Sequence, residues 1–146
     1  MSNQFLGAAL EYLENGFYVF PLMPKTKIPL TQNGFKDASN DPKQIKSWYR
    51  QYPNANIGIA TGEISGLLVI DLDGKELPKE WPLMSGALKV KTSRGWHFYF
   101  KYPEGQNIAS RIKVNGHNID VRANGGYIVA PPSMHPDGGR YEFIIE

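Results

Sequence analysis

Apolar residues lead directly into two aspartates in the run Leu67-Leu68-Val69-Ile70-Asp71-Leu72-Asp73-Gly74. A short apolar run of this kind, closed by a turn residue such as Gly74, predicts a buried β-strand. Side chains two positions apart lie on the same face of a strand, with Cβ atoms about 6–7 Å apart at a rise of roughly 3.3 Å per residue. We therefore predict a buried strand that carries the carboxylates of Asp71 and Asp73 side by side.

Two carboxylates at this spacing can bind one divalent cation between them or share a pair of cations. Without a cation, Asp71 and Asp73 repel each other at the end of an apolar strand, where charged groups resist burial. The alternative is a strand that simply ends in the polar turn Asp73-Gly74, which explains Asp73 well and Asp71 poorly. From these residues alone, a metal site and a polar turn both stay open.

Two helices are predicted in the first third of the chain. The first has apolar residues at helical spacing and ends at Gly16, a typical C-terminal glycine. Its apolar residues are Leu6, Ala9, Leu10 and Leu13. The second begins at Asp41-Pro42, a capping residue followed by a proline at the first helical position. Its predicted inward residues are Ile45, Trp48 and Tyr49. A buried strand over residues 17–22 and a polar loop over residues 24–40 separate the two helices.

Further strands are predicted from apolar runs that are bounded by glycine, proline and asparagine. These runs cover residues 56–60, 67–72, 88–92, 97–102, 119–122, 127–130 and 140–145. The turn-like segments TGEISG, SRGW and ANGG each separate two consecutive runs, so we predict three hairpins. A short helix is predicted within residues 75–84. These elements favour an α+β fold, with a mostly antiparallel or mixed sheet flanked by helices.

The bulk composition narrows the class of protein. The chain has 146 residues, of which 41% are hydrophobic and 21% charged, as is ordinary for a single folded domain over residues 1–146. It contains no cysteine, which excludes disulfides and thiolate-bound zinc or iron–sulfur sites. The N-terminal stretch lacks the basic start of a secretory signal, and no apolar run approaches the ~18 residues that would span a membrane, so we expect a cytoplasmic location. The strand-like run up to Glu146 is compatible with a fragment of a longer protein.

A net charge of only +2 means that any nucleic-acid binding depends on local clusters of basic residues. The clusters in this sequence are Lys25, Lys27, Lys36, Lys43 and Lys46, and then Lys89, Lys91 and Arg94. The turn that contains Ser93 and Arg94 combines hydroxyl, guanidinium and free N–H groups, which can bind phosphate oxygens, and His97 follows it. Scattered lysines and single histidines are more often structural, so a plain solvated surface is the alternative.

A third carboxylate stands in the run Asn118-Ile119-Asp120-Val121-Arg122. Asp120 and Arg122 share a strand face, so they can serve as a metal ligand and a phosphate partner, or form a surface ion pair of little energetic worth. Ser133 and His135 follow a later strand, and a role in the turn is the more common one for such residues. Phosphate-loop, zinc-protease, serine-hydrolase and dinucleotide-binding motifs are absent from the sequence.

These features occur in an order that resembles a known family. From about Gly16 to Tyr141, the chain is similar to the bifunctional primase-polymerase domain of plasmid, phage and prophage replication proteins, in the archaeo-eukaryotic primase group. The matching segments are Phe20-Pro21-Leu22, Lys27-Ile28-Pro29, Gly34-Phe35-Lys36-Asp37-Ala38, Asp41, Trp48, Asn56-Ile57-Gly58-Ile59, Thr61-Gly62, Ser65-Gly66, Asp71 with Asp73, Ser93 to His97, Asp120-Val121-Arg122 and Gly126 to Ser133. Each segment is short, but their order and spacing make the resemblance specific.

The resemblance implies a template-directed nucleotidyltransferase, a DNA primase and polymerase that uses two Mg²⁺ or Mn²⁺ ions. The implied metal ligands are Asp71, Asp73 and Asp120. The implied partner of the nucleotide phosphates is His97, within the serine-to-histidine motif that begins at Ser93. Arg94, Arg122 and Lys27 are further candidates for phosphate binding because they are basic. The resemblance also implies a sheet with an RRM-like element, a DNA template and primer, NTP or dNTP as substrate, and a helicase or ATPase module on the same or another chain.

Two other functions are compatible with the same residues. A divalent-metal nuclease or phosphohydrolase would use the same three carboxylates, with water as the nucleophile. A non-catalytic nucleic-acid-binding module would need no metal and would bind in EDTA. Such a module would rely on the lysine clusters and on exposed aromatic residues such as Tyr99.

Overall fold

The computed structural model describes residues 3–74 and 87–144, which form two helices and two antiparallel sheets. The helices are α1 (Gln4–Glu14) and α2 (Pro42–Gln51), and short 3-10 helices occupy Gly34–Asp37 and Val114–Gly116. The strands are β1 (Val19–Leu22), β2 (Asn56–Ala60), β3 (Leu67–Asp73), β4 (Leu88–Lys91), β5 (Gly95–Lys101), β6 (Ile119–Arg122), β7 (Tyr127–Ala130) and β8 (Glu142–Phe143). This confirms the predicted α+β class. The helix predicted within residues 75–84 lies outside the described residues.

Helix α1 begins and ends at polar residues that satisfy its free backbone groups. The Asn3 side chain accepts hydrogen bonds from the N–H groups of Phe5 and Leu6, which caps the first turn. Gly16, with a positive φ of 84°, follows the helix in the left-handed conformation that favours glycine. The predicted end of the helix is therefore confirmed. Its fully buried face consists of Phe5, Ala9 and Tyr12, and the predicted leucines are only partly buried.

Helix α2 has the start that the sequence predicts. The Asp41 side chain accepts a hydrogen bond of 3.0 Å from the N–H of Lys43, and Pro42 occupies the first helical position. Ile45 and Tyr49 are buried, while Trp48 is half-buried at the edge of the core. The helix therefore packs its predicted apolar face against the rest of the domain.

The strands divide into two separate antiparallel sheets. The first has the order β1-β2-β7 and the second has the order β6-β3-β5-β4-β8. One predicted hairpin is confirmed, because β4 and β5 pair across the SRGW turn. The other two are wrong: β2 pairs with β1 and β7, whereas β3 pairs with β5 and β6. The turns after β2 and β6 therefore carry the chain from one sheet to the other. The last strand is also shorter than predicted, since β8 spans only Glu142–Phe143.

The strand that carries the two aspartates has a different core on each face. Val69 packs with the helices and the first sheet, in the cluster that also holds Val90 and Tyr99. Ile70 and Leu72 pack on the opposite face. Because side chains alternate along a strand, Asp71 and Asp73 lie on the Val69 face. The two aspartates therefore lie on the sheet face that packs against the main core, at the end of the strand where polar residues replace the apolar ones.

No helix among the described residues is long and apolar enough to cross a membrane. Tyr99, the aromatic residue that a binding module would expose, is 5% exposed. It is buried because it lies on the same sheet face as Val69, its partner on the neighbouring strand. The binding-module alternative, which relies on an exposed Tyr99, is therefore not supported at this residue.

Candidate active site

The register of the second sheet brings a histidine and a second aspartate beside Asp71. Strand β3 lies between β5 and β6, and Asp71 is directly opposite His97 on one side and Asp120 on the other. Residues that are directly opposite in antiparallel strands share a face and lie close together. Side chains from three strands, far apart in sequence, therefore meet around one carboxylate.

Asp71 is surrounded by basic groups. Its Oδ1 lies 3.5 Å from Nε2 of His97, and its Oδ2 lies 3.7 Å from Nη2 of Arg122. Burial raises the pKa of Asp71, whereas the contact with His97 and the charges of Arg122 and Lys27 lower it. The lowering is the larger effect, so the pKa of Asp71 lies below its ordinary value. Asp71 is therefore ionised at neutral pH.

Both carboxylate oxygens of Asp120 accept hydrogen bonds. The backbone N–H of Lys113 donates to Oδ1 at 3.0 Å, and Nη2 of Arg122 donates to Oδ2 at 2.8 Å. Arg122 and Asp120 are two positions apart on β6, and the predicted shared face is what allows this contact. Arg122 thus contacts Asp120 and also lies within ionic reach of Asp71.

Asp73 stands at the exposed end of β3, next to the β4–β5 turn. It is directly opposite Gly95, and the N–H of Gly74 donates to the carbonyl of Arg94 at 2.9 Å. The turn closes on itself through the N–H of Gly95, which donates to Oγ1 of Thr92 at 2.9 Å. The segment that carries Ser93 and Arg94 is therefore held against the strand end that carries Asp73.

His97 is almost fully buried and keeps one ring nitrogen without a partner among the described residues. Nε2 faces Asp71, while Nδ1 makes no hydrogen bond there. Its ring lies 6.0 Å from the ring of Tyr141, which in turn lies 6.2 Å from the ring of His135. Nε2 is therefore the ring nitrogen on the side of the Asp71 carboxylate.

These side chains line one open cleft of about 220 Å³. Its lining comprises Lys27, Asp71, Leu72, Asp73, Thr92, Ser93, Arg94, His97, Lys113, Asn118, Asp120, Arg122, His135 and Tyr141. Every site residue predicted from the sequence is in this set. A second hollow of about 130 Å³ shares Lys27, Asp71 and Tyr141 with it and extends toward Tyr127.

The sequence did not indicate two of the lining residues, Lys113 and Tyr141. Both belong to loops, and neither lies in a motif with periodic spacing. The expectation of a plain turn role for His135 is incomplete, because this residue also lines the cleft.

The carboxylates have the donor chemistry of a divalent-cation site. Carboxylate oxygens are the ligands that Mg²⁺ and Mn²⁺ prefer in proteins. The guanidinium of Arg122 already places a positive charge against Asp71 and Asp120, as a cation would. Within residues 3–74 and 87–144, no three His, Cys, Asp or Glu side chains form a ready-made metal cluster. The three-aspartate ligand set is therefore part of the proposal below.

The cleft combines carboxylates with basic side chains, a combination that suits a phosphate-bearing substrate. The sequence matches the family model described as the N-terminal domain of bifunctional DNA primase/polymerase over residues 9–146. The chain belongs to this family. A comparison with curated proteins found no match. Family membership supports a primase or polymerase function and implies binding of DNA and nucleotides.

Proposed function

We propose that this domain is a template-directed nucleotidyltransferase in which Asp71, Asp73 and Asp120 hold two divalent metal ions. The observation that carries the proposal is the strand register, which sets Asp120 directly beside Asp71. Asp73 lines the same cleft from the end of the same strand. Arg122 already offsets part of the repulsion between Asp71 and Asp120, and divalent ions in the cleft would offset the charge of all three carboxylates.

The basic residues of the cleft supply the groups that would bind the phosphates of the nucleotide. Lys27, Arg94 and Arg122 line it from three separate segments, so they can bind the triphosphate from different sides. His97 lines the same cleft with its Nε2 3.5 Å from Oδ1 of Asp71, so this nitrogen can bind a phosphate oxygen beside Asp71. Phosphoryl transfer depends mainly on such positioning and charge neutralisation. Bound metal ions would add activation of the attacking hydroxyl and neutralise charge on the leaving pyrophosphate.

The substrates that fit this proposal are NTP or dNTP together with a DNA template and primer. Lys27 and the Ser93–Arg94 turn lie at the cleft, so the local positive charge that template binding requires is present despite the small net charge. A helicase or ATPase module, on this or another chain, would supply strand opening. We place this activity in the cytoplasm.

Isosteric removal of the carboxylate charges tests the proposal. Asp71→Asn and Asp120→Asn should each lower nucleotide incorporation by ~10²-fold or more, since bound metal contributes several kcal/mol of charge stabilisation. Asp41→Asn is the matched control, because asparagine caps a helix as well as aspartate and Asp41 lies at the start of α2. Circular dichroism and thermal unfolding should show that all three variants are folded. Full incorporation by folded Asp71→Asn would rule out the proposal.

The products of the reaction separate the competing functions. A polymerase lengthens a labelled primer, whereas a nuclease or phosphohydrolase releases nucleotide or phosphate from the same substrates. EDTA should abolish incorporation because the reaction depends on the metal ions. Binding to DNA that persists in EDTA, with no incorporation under any metal, would instead favour a non-catalytic binding module.

A further inference from the structure

Two loops, distant in sequence, form one wall of the cleft. The loop after β1 brings Lys27, and the loop after β7 brings His135 and Tyr141. Neither loop is part of the sheet that carries the three aspartates. The position of Lys27 relative to that sheet must therefore come from contacts outside the carboxylate cluster.

A single buried amide joins the two loops. Asn56, at the start of β2, is 1% exposed. Its Nδ2 donates to the carbonyl of Thr26 at 3.0 Å and to the carbonyl of Met134 at 2.7 Å. Its Oδ1 accepts from the N–H of Met134 at 2.9 Å. Thr26 and Met134 directly precede Lys27 and His135, so one side chain fixes the backbone next to both cleft residues.

Asn56 is itself held firmly. The Tyr49 hydroxyl donates to the backbone carbonyl of Asn56 at 3.0 Å, from the buried face of α2. The N–H of Ile57 donates to Oγ of the fully buried Ser133 at 2.8 Å, which ties β2 to the loop after β7 a second time. The backbone that carries the Asn56 amide is therefore fixed by hydrogen bonds of its own.

The Lys27 peptide is fixed on both sides. The carbonyl before it accepts from Asn56, and its own carbonyl accepts from the Tyr127 hydroxyl at 2.6 Å. Tyr127 belongs to β7, the strand that pairs with β2. Main-chain contacts on either side of Lys27 leave its side chain free to extend into the cleft, where it lowers the pKa of Asp71.

We propose that Asn56 is a positioning residue for nucleotide binding, which acts by setting Lys27 and His135 against the carboxylates. This inference rests on the proposed function, because it assigns the two loops to the same phosphate-binding site. A purely structural Asn56 would also satisfy three backbone groups, but its loss would then lower stability without a specific effect on nucleotide affinity.

Asn124 provides a matched control. Its amide also donates two hydrogen bonds, to the Tyr102 hydroxyl at 2.9 Å and to Oδ1 of Asn107 at 3.0 Å, and its Oδ1 accepts from the N–H of Glu63. It thus joins chain segments in the same way as Asn56, but none of these residues lines the cleft. Asn56→Ala and Asn124→Ala should both lower the melting temperature, and Asn56→Ala should do so by more, because Asn56 is buried and Asn124 is half-buried.

The test measures KM and kcat for primer extension, and nucleotide Kd in the presence of Mn²⁺, for Asn56→Ala, Lys27→Ala and the double variant. Asn56→Ala should raise KM and Kd by roughly 10- to 100-fold, the size of effect expected for misplacement of about 1 Å, and should change kcat less. In the Lys27→Ala background the same change should have a much smaller effect, because the residue through which it acts is gone. Asn124→Ala should leave KM and Kd unchanged.

Three outcomes would overturn the inference: equal effects of Asn56→Ala and Asn124→Ala on KM, additive effects of Asn56→Ala and Lys27→Ala, or an unchanged Kd. Asn56→Ser is measured in parallel and keeps the fold testable, because it removes the amide that joins the two loops without placing a charge at this buried position. If the unaltered protein neither binds nor incorporates nucleotide, the proposed function fails first. If it does both and Asn56 has no effect on affinity, only this inference fails.

Discussion

Burial and charge act in opposite directions on Asp71. Desolvation raises its pKa, and the contact with His97 together with Arg122 and Lys27 lowers it by more. Because the folded pKa is depressed, the charged form stabilises the fold above the ordinary aspartate pKa of ~3.9, and this stabilisation is lost as the pH falls through the folded value. At neutral pH, Asp71 is therefore a charged group that can accept a cation without first losing a proton.

Tyr141 is the residue of the cleft for which we predict a direct contact with the nucleotide. Burial and the charges of Asp71 and Asp137 raise its pKa to about 12, so the hydroxyl remains a donor at neutral and mildly alkaline pH. Tyr141→Phe removes this donor only. We expect KM for the nucleotide to rise by ~3- to 10-fold, as for one lost hydrogen bond of about 0.5–1.5 kcal/mol, with thermal stability nearly unchanged.

Tyr99→Phe is the control for this prediction. Tyr99 lies on the same sheet, and its buried hydroxyl has no hydrogen-bond partner among the described residues. Removing it should leave KM unchanged and should not destabilise the fold. A Tyr141→Phe variant with the same kinetics as Tyr99→Phe would show that the Tyr141 hydroxyl does not contact the nucleotide.

At the scale of single residues, alternation along a strand correctly predicted shared faces for two pairs. Asp71 and Asp73 lie on one face of β3, and Asp120 contacts Arg122 on β6. The sequence could not show that β3 and β6 are neighbours, because strand pairing depends on contacts between distant segments. Lys113 contacts Asp120 through its backbone N–H, and its own φ of 46° is left-handed. The pattern of side chains in the sequence does not predict this backbone conformation.

At the scale of elements, helix starts were easier to predict than strand partners. The Asp41-Pro42 start depends on groups one or two residues away, and the structure confirms it. The turn after β2 has a local hairpin-like bridge between Gly62 and Leu67, so its sequence looks like a hairpin. The strands on either side nevertheless belong to different sheets. Burial against partners far along the chain overrides the local turn pattern here.

Gly95 gives a prediction at the scale of the β4–β5 hairpin. A Cβ at this position would collide with the carbonyl oxygen of Leu72, a backbone atom of β3 that cannot move independently. Gly95→Ala should therefore separate the turn from the end of β3 and destabilise the fold by about 1–3 kcal/mol, as overpacking does. Incorporation should fall as well, since Asp73 and the Ser93–Arg94 segment lie on the two sides of this contact.

Gly7→Ala is the matched glycine substitution. A Cβ at Gly7 meets nothing within 4 Å, and the residue lies within α1, where alanine is favoured over glycine by about 1 kcal/mol. Denaturant unfolding should show Gly7→Ala to be more stable than the unaltered protein and Gly95→Ala to be less stable. A Gly95→Ala variant of unchanged stability would mean that β3 and the hairpin are not in tight contact at this point.

At the scale of the whole molecule, charged side chains are concentrated in the cleft, although the net charge of the chain is small. The net charge is +2, but the cleft combines four Lys or Arg side chains with three aspartates. This mixture of charges suits the metal-bound nucleotide that we propose as substrate, in which cation and phosphate charges are both present. The sequence could identify the charged residues, but only the two-sheet arrangement shows that they share one cleft.

The size of the cleft leads to a prediction about the reaction that the domain performs alone. The two adjoining hollows are about 220 Å³ and about 130 Å³, and they share Lys27, Asp71, His97, Arg122 and Tyr141, so they form one continuous cleft, which we propose holds a single nucleotide. Starting a primer requires two free nucleotides to be held together, and the second must lose its own freedom of motion on binding.

We therefore expect these 146 residues to extend an annealed primer more than ~10-fold faster than they form a dinucleotide on a bare template, a difference of about 1.4 kcal/mol. Parallel assays with labelled primer and with labelled nucleotide, at the same Mn²⁺ and template concentrations, measure this ratio. Equal rates in the two assays would mean that the domain binds a second nucleotide outside the cleft described here.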